Sequence, residues 1–198
     1  MTYPIDKPLF LELAALAPGE VCRRAVCRYD PAEKAYSISI WGDEYTIFPD
    51  QCRIECLRGE GPGPHAYFNV FLIHYLLRAP DTGPVHEWIS EKDIPGGVTF
   101  FRGPHEIPTR EIAGRFGNAV DAFRKRCEQL GGRALPMADA AASFLITPKT
   151  PVVVLYWQGD EDFPPEATIL YDRSLAGYLA LDAIYALAVD ICSRLAGG

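Results

Sequence analysis

The sequence predicts an α+β fold, in which a largely antiparallel sheet is covered by three longer helices. The strands are expected in two groups, an N-terminal meander within residues 25–56 and a C-terminal hairpin within residues 152–171. Three longer stretches outside these groups have apolar residues that recur with helical spacing. Helices that are segregated from antiparallel strands along the chain are typical of the α+β class, because each layer has to bury its apolar face against the other.

Length and composition bound the number of domains. The chain has 198 residues, of which 48% are hydrophobic, so it is long enough to bury a core of its own. No linker-like or low-complexity segment divides it. We therefore expect one domain over residues 1–198.

The meander is predicted from short runs that are rich in β-branched and aromatic residues. The Gly42-Asp43 pair is typical of a two-residue hairpin turn. A short helix over Leu9–Leu16 precedes the meander, and a loop of glycine and proline over residues 59–64 follows it. The expected strands are Ala25–Tyr29, Ala35–Trp41, Glu44–Phe48 and a short strand through Cys52, Ile54 and Cys56.

The longer helices are expected at Ala66–Ala79, Ile112–Leu130 and Leu181–Leu195. The first is apolar nearly all round, which indicates burial on most sides. The other two each carry an apolar stripe, and they end at Gly131-Gly132 and Gly197-Gly198. Residues 80–108 are rich in proline and glycine and predict one or two short strands wrapped by ordered loops. The C-terminal hairpin is expected to pair Val152–Trp157 with Ala167–Tyr171.

Charge and hydropathy exclude some classes of partner. The chain has 26 acidic and 19 basic residues, whereas binding of nucleic acid needs a basic face. The longest apolar run, Val70–Leu77, is far below the roughly 20 residues of a membrane span. The N-terminal residues, Met1–Lys7, lack the features of a secretory signal. We expect a cytoplasmic protein with no nucleic acid and no membrane partner, and with its six cysteines reduced.

Four of the cysteines are weak candidates for a metal or iron–sulfur site. They form the pairs Cys22 with Cys27 and Cys52 with Cys56, whereas such sites usually use pairs with closer spacing. On a strand, Cys52 and Cys56 would be roughly 13 Å apart and could not share one ion. We interpret these cysteines as buried or half-buried free thiols. The alternative for Cys22 and Cys27 is a reactive thiolate, because the neighbouring arginines can lower a thiol pKa.

The acidic turn between the hairpin strands, residues 159–166, is the densest group of polar side chains. Its carboxylates belong to Asp160, Glu161, Asp162 and Glu166. They offer oxygen ligands for a hard cation, although the order differs from an EF-hand loop, and a pair of them in unlike environments suits acid–base chemistry. The other interpretation is a solvated connection between strands. The aromatic Phe163 and the two prolines after it favour a turn that folds back onto the domain.

A ligand-binding site is predicted where the acidic turn meets the segment Trp88–Gly97. The Gly96-Gly97 pair in that segment lets backbone approach a ligand closely. The candidate ligand-binding residues are Trp88, Gly96, Gly97, Trp157, Asp160, Glu161, Asp162 and Phe163. No nucleotide-binding loop, serine-hydrolase elbow or paired-histidine metal motif is present in the sequence, so the ligand or cofactor and any catalytic residue are left unassigned.

Several motifs in the same order resemble one family. They are the helix that contains His74-Tyr-Leu-Leu, the segment Trp88–Gly97, the Phe116-Gly helix that ends in Leu130-Gly-Gly, the segment Trp157–Pro165, and Ile169–Asp172 followed by Tyr178-Leu. Over roughly residues 20–195 the chain resembles the uncharacterised family numbered 3786 in the domain-of-unknown-function series. The resemblance implies an origin in anaerobic bacteria or archaea. Some members of the family carry an added iron–sulfur domain, whose closely spaced cysteines this chain lacks.

Three functions follow from the sequence. The leading hypothesis is a non-enzymatic accessory or binding module in anaerobic redox or cofactor metabolism, with a small molecule or a protein as its partner. The second is a metal-dependent hydrolase that uses the acidic turn together with His86 or His105. The third is a cysteine-ligated metal or iron–sulfur protein.

Overall fold

A computed structural model describes residues 7–57, 65 and 67–197. It contains antiparallel strands and helices in the proportions of an α+β protein, which confirms the predicted class. The N-terminal residues 1–6, the predicted loop 59–64, the expected helix start at Ala66 and the final Gly198 lie outside the described residues.

The helices are Lys7–Ala15 (α1), Pro18–Ala25 (α2), Phe68–Arg78 (α3), Gly97–Phe100 (α4), Thr109–Phe116 (α5), Val120–Gln129 (α6) and Leu181–Ala196 (α7). The strands are Arg28–Asp30 (β1), Ala35–Ile40 (β2), Asp43–Phe48 (β3), Arg53–Leu57 (β4), Trp88–Ile89 (β5), Arg133–Leu135 (β6), Ala140–Thr147 (β7), Thr150–Trp157 (β8) and Glu166–Asp172 (β9). Short 3₁₀ helices lie at Pro49–Gln51, Gly103–His105 and Arg173–Gly177.

The described strands form two antiparallel sheets. Sheet A has the order β1-β2-β3-β4, which is the predicted meander, and sheet B has the order β5-β9-β8-β7-β6. The predicted hairpin is the pair β8–β9, in which Tyr156 lies opposite Ala167. The inner faces of both sheets share one continuous core with the helices, and the rings of Trp41 and Phe144 meet between the sheets at 5.0 Å.

One predicted strand is partly helical. The sequence predicts a strand over Ala25–Tyr29, but α2 runs to Ala25 and β1 begins only at Arg28. The guanidinium of Arg24 donates hydrogen bonds to the carbonyls of Leu77 and Ala79 at the end of α3, at 3.1 and 2.8 Å. This contact with a helix C-terminus favours the helical conformation over the local β-propensity.

The predicted helix Ile112–Leu130 is divided into α5 and α6. The division lies at Gly117-Asn118-Ala119, where Gly117 has φ 52° and ψ −124°, a conformation that residues with a Cβ avoid. The carbonyl of Gly117 accepts a hydrogen bond of 2.6 Å from the Tyr156 hydroxyl on β8. The break therefore fixes the end of α5 against sheet B and exposes the side chain of Asn118 to the acidic turn.

A buried ion-pair cluster connects α7 to sheet A. The Arg194 guanidinium donates to Asp190 at 2.9 Å, to Asp43 at 3.1 Å and to the Tyr45 hydroxyl at 3.3 Å. The Arg194 and Asp190 side chains are 4% and 0% exposed. Burial opposes the charge on Arg194, but the nearby negative charge of Asp190 and its hydrogen bonds outweigh it, so the pKa of Arg194 is raised. Asp190 also accepts the backbone N–H of His65, at 2.5 Å.

Replacement of the central cation tests this cluster. We expect Arg194→Met to lower the free energy of unfolding by roughly 3–5 kcal/mol, because two buried carboxylates lose their counter-charge. Urea unfolding followed by tryptophan fluorescence at pH 7 measures the change. Arg28→Met is the matched control, since the pair of Arg28 with Glu44 is exposed and 3.8 Å long, and such pairs contribute about 0–1 kcal/mol. Equal losses in the two variants would contradict the assignment.

Candidate functional site

The candidate site lies along β9, and one edge of this strand is paired with a neighbouring strand over only part of its length. Its other side pairs with β8 from Glu166 to Tyr171. On the open side, β5 pairs only with Tyr171 and Asp172. No described strand pairs with Glu166–Leu170 on this side, so the segment is a sheet edge, and such edges present unpaired backbone groups.

The direction of these backbone groups follows from one contact. The N–H of Arg173 donates to the carbonyl of Glu87 at 2.8 Å, on the side of β9 that faces β5. Backbone groups of every second residue point to the same side of an antiparallel strand. The N–H and C=O groups of Ala167 and Ile169 therefore point away from β8. Within the described part of the chain, these groups have no hydrogen-bond partner.

Two adjoining cavities lie along this edge. The first has a volume of about 460 Å³ and the second about 580 Å³, both within the roughly 300–1,000 Å³ of typical ligand pockets. Both are lined by Glu106, Thr109, Glu166 and Ala167. The first extends past Ile169 to the segment 90–92, and the second extends to Phe163. We call the two cavities together the β9 groove. Its walls are residues 90–92, 101–103, 106, 107, 109, 110, 113, 114 and 163–169.

Asp172 fixes one end of the β9 groove. Its side chain is buried and accepts the backbone N–H groups of Val85 and His86, at 3.1 and 2.6 Å, and both the N–H and the hydroxyl of Ser174, at 3.0 and 2.5 Å. Burial acts to raise the pKa of Asp172, but these hydrogen bonds outweigh it and hold the pKa below its ordinary value. The carboxylate thus holds the segment before β5 against the end of β9.

The acidic turn forms the other end and is tightly held. The side-chain amide of Asn118 donates to the carbonyl of Gly159 at 3.1 Å and accepts its N–H at 2.8 Å. A Cβ on Gly159 would lie 2.7 Å from Pro165, so the turn folds back on itself only with glycine there. This agrees with the prediction that the turn packs onto the domain.

The carboxylates of the acidic turn do not converge. The side chains of Asp160, Glu161 and Asp162 are exposed. One oxygen of Asp160 accepts the N–H groups of Phe163 and Asp162, both within 2.9 Å, and these bonds lower the pKa of Asp160. Asp160 therefore closes its own turn. Phe163 is 69% exposed and lies on the rim of the larger cavity.

The described contacts of the two histidines of the hydrolase hypothesis are with residues outside the acidic turn. The His105 ring stacks on Phe100, with centroids 4.6 Å apart, and contacts the edge of Tyr185. The backbone of His86 is bound to Asp172. Among residues 7–57, 65 and 67–197, no three His, Cys, Asp or Glu side chains are grouped so that they could hold a metal ion. The described residues therefore give no support to the metal-dependent hydrolase.

The remaining candidate ligand-binding residues do not line the two cavities of the β9 groove. Trp88 packs with Leu170 on the outer face of sheet B, and Trp157 is at the far end of β8, opposite Glu166. A Cβ on Gly97 would lie 1.9 Å from the carbonyl of Glu91. The close approach that Gly97 permits is therefore to its own chain. Gly96 has φ +80° and turns the chain into α4.

The four candidate cysteines separate into two pairs. Cys56 lies within β4, as predicted, and contacts the Tyr45 hydroxyl, whereas Cys52 lies just before the strand and not within it. The thiols of Cys22 and Cys27 lie 3.9 Å apart at the end of α2. The structure thus brings one pair together, and the spacing of five residues gave no indication of this.

Comparison with known protein families gives one match. Residues 17–194 match the sequence profile of a family described as a domain of unknown function, DUF3786. The chain belongs to this family. The predicted resemblance is confirmed. Because the description of the DUF3786 family names no reaction, the roles of individual residues can be inferred only from their positions and contacts in the structure. No curated protein and no solved structure matches the chain significantly. In the described part of the chain, no helix is long and apolar enough to cross a bilayer.

Sequence reasoning missed two residues that shape the site. Asp172 follows directly after a predicted strand and precedes Arg173-Ser174, a pattern typical of a side chain that caps the next turn. Asn118 follows a glycine inside an apparently continuous helical stripe. A Gly-Asn pair within a helical pattern is a signal for a break, and the break is what places the amide beside the acidic turn.

The pH dependence of stability tests the role of Asp172. Because its folded-state pKa is below the ordinary 3.8, Asp172 contributes stability that is present above pH 4 and is lost as the pH falls through the lowered pKa. We expect Asp172→Asn to lower the free energy of unfolding at pH 7 by about 1–3 kcal/mol. The amide has a single acceptor oxygen, so at least one N–H group that donates to Asp172 then meets an NH₂ group and loses its acceptor. Urea unfolding at pH 7 and at pH 3 measures both variants.

The difference between wild type and Asp172→Asn should shrink at pH 3, because the carboxyl of the unfolded wild type is then largely protonated and folding has to release that proton. Asp121→Asn is the control, because the Asp121 side chain is 96% exposed and bonds only to Arg124 on its own helix. A difference that stays constant between the two pH values would argue against a charged Asp172.

Proposed function

We propose that the protein is a non-enzymatic binding module whose β9 groove takes an extended peptide segment of a partner protein. The observation that carries the proposal is the row of unpaired backbone groups on Ala167 and Ile169, which opens into cavities of about 460 and 580 Å³. An extended peptide satisfies such groups by adding a strand to the sheet edge.

The position of β5 supports a strand in this groove. β5 pairs with Tyr171 and Asp172, and after Ile89 the chain turns away, with a hydrogen bond of 3.1 Å from Asp93 N–H to Ser90 carbonyl. A bound peptide continues the line of β5 along Ile169 and Ala167. Each backbone hydrogen bond between the peptide and β9 contributes about 1 kcal/mol to the net free energy of binding.

The walls of the groove suggest the composition of the peptide. Phe163, Pro165 and Ala113 supply apolar surface at the end near the acidic turn. The charges along the walls are balanced, with Glu91, Glu106 and Glu166 against Lys92, Arg102 and Arg110. The exposed carboxylates Asp160, Glu161 and Asp162 make that end negative. A peptide with an apolar residue flanked by Lys or Arg complements this arrangement.

A role in anaerobic redox or cofactor metabolism remains part of the proposal through the family resemblance. Within that setting the partner is a protein with an exposed extended segment, such as a terminus or a linker. The absence of a catalytic constellation in the sequence motivates the non-enzymatic reading.

Peptide selection followed by amide hydrogen exchange tests the proposal. Random twelve-residue peptides displayed on phage are selected against the intact protein, and exchange is read by NMR with and without the selected peptide. We expect the amides of Ala167 and Ile169 to exchange at least about tenfold more slowly in the complex, which corresponds to roughly 1.4 kcal/mol. The amides of Thr168 and Leu170 point to β8 and serve as internal controls.

Backbone methylation of the selected peptide gives a second readout. N-methylation removes one donor at a time, so binding should be lost at alternate peptide positions, with a period of two. Loss of binding at every position alike, or binding with unchanged exchange at Ala167 and Ile169, would refute strand addition. Turnover of a substrate that is lost when Asp160, Glu161 and Asp162 are changed to alanine would refute the non-enzymatic role.

A further inference from the structure

The strongest feature outside the β9 groove is the pair of thiols at the end of α2. The Sγ atoms of Cys22 and Cys27 are 3.9 Å apart, and both side chains are half-buried. α2 ends at Ala25, Val26 adopts the left-handed conformation with φ 54°, and the N–H of Cys27 donates to the carbonyl of Cys22 at 3.2 Å. This is a Schellman-type turn, which folds the side chain after the turn back over the last helical turn.

The turn is held from both sides by contacts that do not involve the thiols. The Tyr75 hydroxyl donates to the carbonyl of Ala25 at 3.0 Å, and Arg24 donates to two carbonyls at the end of α3. A β-branched residue at positive φ is uncommon, and Val26 is held there although its side chain is 52% exposed. The surrounding structure therefore imposes the close approach of the two sulfur atoms.

We propose that Cys22 and Cys27 form a redox-active dithiol, which is oxidised reversibly to an intramolecular disulfide by exchange with a low-molecular-weight disulfide. The gap of 3.9 Å has to close to about 2.05 Å, which is the length of a disulfide bond. Rotation of the side chains about χ1 supplies this movement.

The exchange takes place in two balanced steps. The Cys22 thiolate attacks one sulfur of the external disulfide, so a mixed disulfide forms and one external thiolate leaves. Cys27 then loses its proton to solvent and attacks the Cys22 sulfur, so the intramolecular disulfide forms and the second external thiolate leaves. The protein loses two electrons and two protons, and the external disulfide is reduced to two thiols.

The two thiols have different roles in this sequence. Burial, together with the nearby Cys22 sulfur, raises the pKa of Cys27 to about 12, so Cys27 stays protonated at neutral pH. Cys22 is therefore the attacking thiol and Cys27 the resolving thiol. Cys127 and Cys192 are buried, so an external disulfide does not reach them, and burial also raises the pKa of both thiols.

Redox titration with glutathione tests the dithiol. The intact protein is equilibrated anaerobically over a range of reduced-to-oxidised glutathione ratios, quenched with acid and alkylated. Trypsin cleaves after Arg23 and Arg24, so Cys22 and Cys27 fall into different peptides, and mass spectrometry detects the disulfide as a link between them. We expect this link to form with a single midpoint, at the expense of two alkylation sites, and to disappear on addition of dithiothreitol.

Serine variants separate the two steps. Cys27→Ser should trap glutathione on Cys22 as a mixed disulfide, whereas Cys22→Ser should leave Cys27 unmodified at the same ratio. Cys52→Ser is the control and should titrate like the wild type, since Cys52 is exposed and outside the pair. The proposal is overturned if the wild type forms no Cys22–Cys27 link at ratios that glutathionylate Cys52, or if Cys27→Ser traps no glutathione on Cys22.

Discussion

The cluster around Arg194 is the interaction on which the arrangement of the layers depends. It connects the last helix to the turn between β2 and β3, while the same helix packs against α3 and α5. The Arg194 side chain is only 4% exposed, and a cation buried in this way is stable only if negative charges compensate it. The contact between Arg194 and Asp43 therefore restricts the position of sheet A relative to α7. The cluster thus fixes sheet A, and the aromatic contact of Trp41 with Phe144 joins it to sheet B.

A second set of polar contacts defines the shape of the β9 groove. Asp172 holds the segment before β5 at one end, and Asn118 holds the acidic turn at the other. Both side chains bind backbone groups of loops and so hold these loops in place at the two ends of β9. Between these ends, no described strand pairs with the side of β9 that faces away from β8.

The sequence predicted the fold class and most strands, because these depend on local patterns. The alternation in β2, the Gly42-Asp43 turn and the apolar run of β8 are periodicities that a single segment carries. The break at Gly117 and the helical end of α2 were mispredicted, since they depend on Tyr156 and on the end of α3, which are distant in sequence. The sequence predicted one sheet, whereas the described strands form two. The reason is the same, because the pairing of strands depends on contacts between segments that are distant in sequence.

The predicted ligand-binding site at the meeting of the acidic turn with the segment Trp88–Gly97 stays a prediction. Residues 90–92 of that segment line one cavity of the β9 groove, and Phe163 of the acidic turn lines the other. The sequence predicted a site at the carboxylates because charged residues can be identified from a sequence. Unpaired backbone groups cannot be identified in this way. No side-chain pattern distinguishes Ala167 and Ile169 from buried residues of any other strand.

The contact between Asp43 and Arg194 joins residues that are 151 positions apart. During synthesis the N-terminal meander leaves the ribosome long before its counter-charge exists, so sheet A can form its hairpins early but cannot bury Asp43 against α7. Contacts between such distant positions slow folding, because a long loop has to close before they contribute. The nascent chain therefore carries an exposed carboxylate at the sheet A turn until the last helix is made, which favours completion of the whole domain over stable intermediates from its first half.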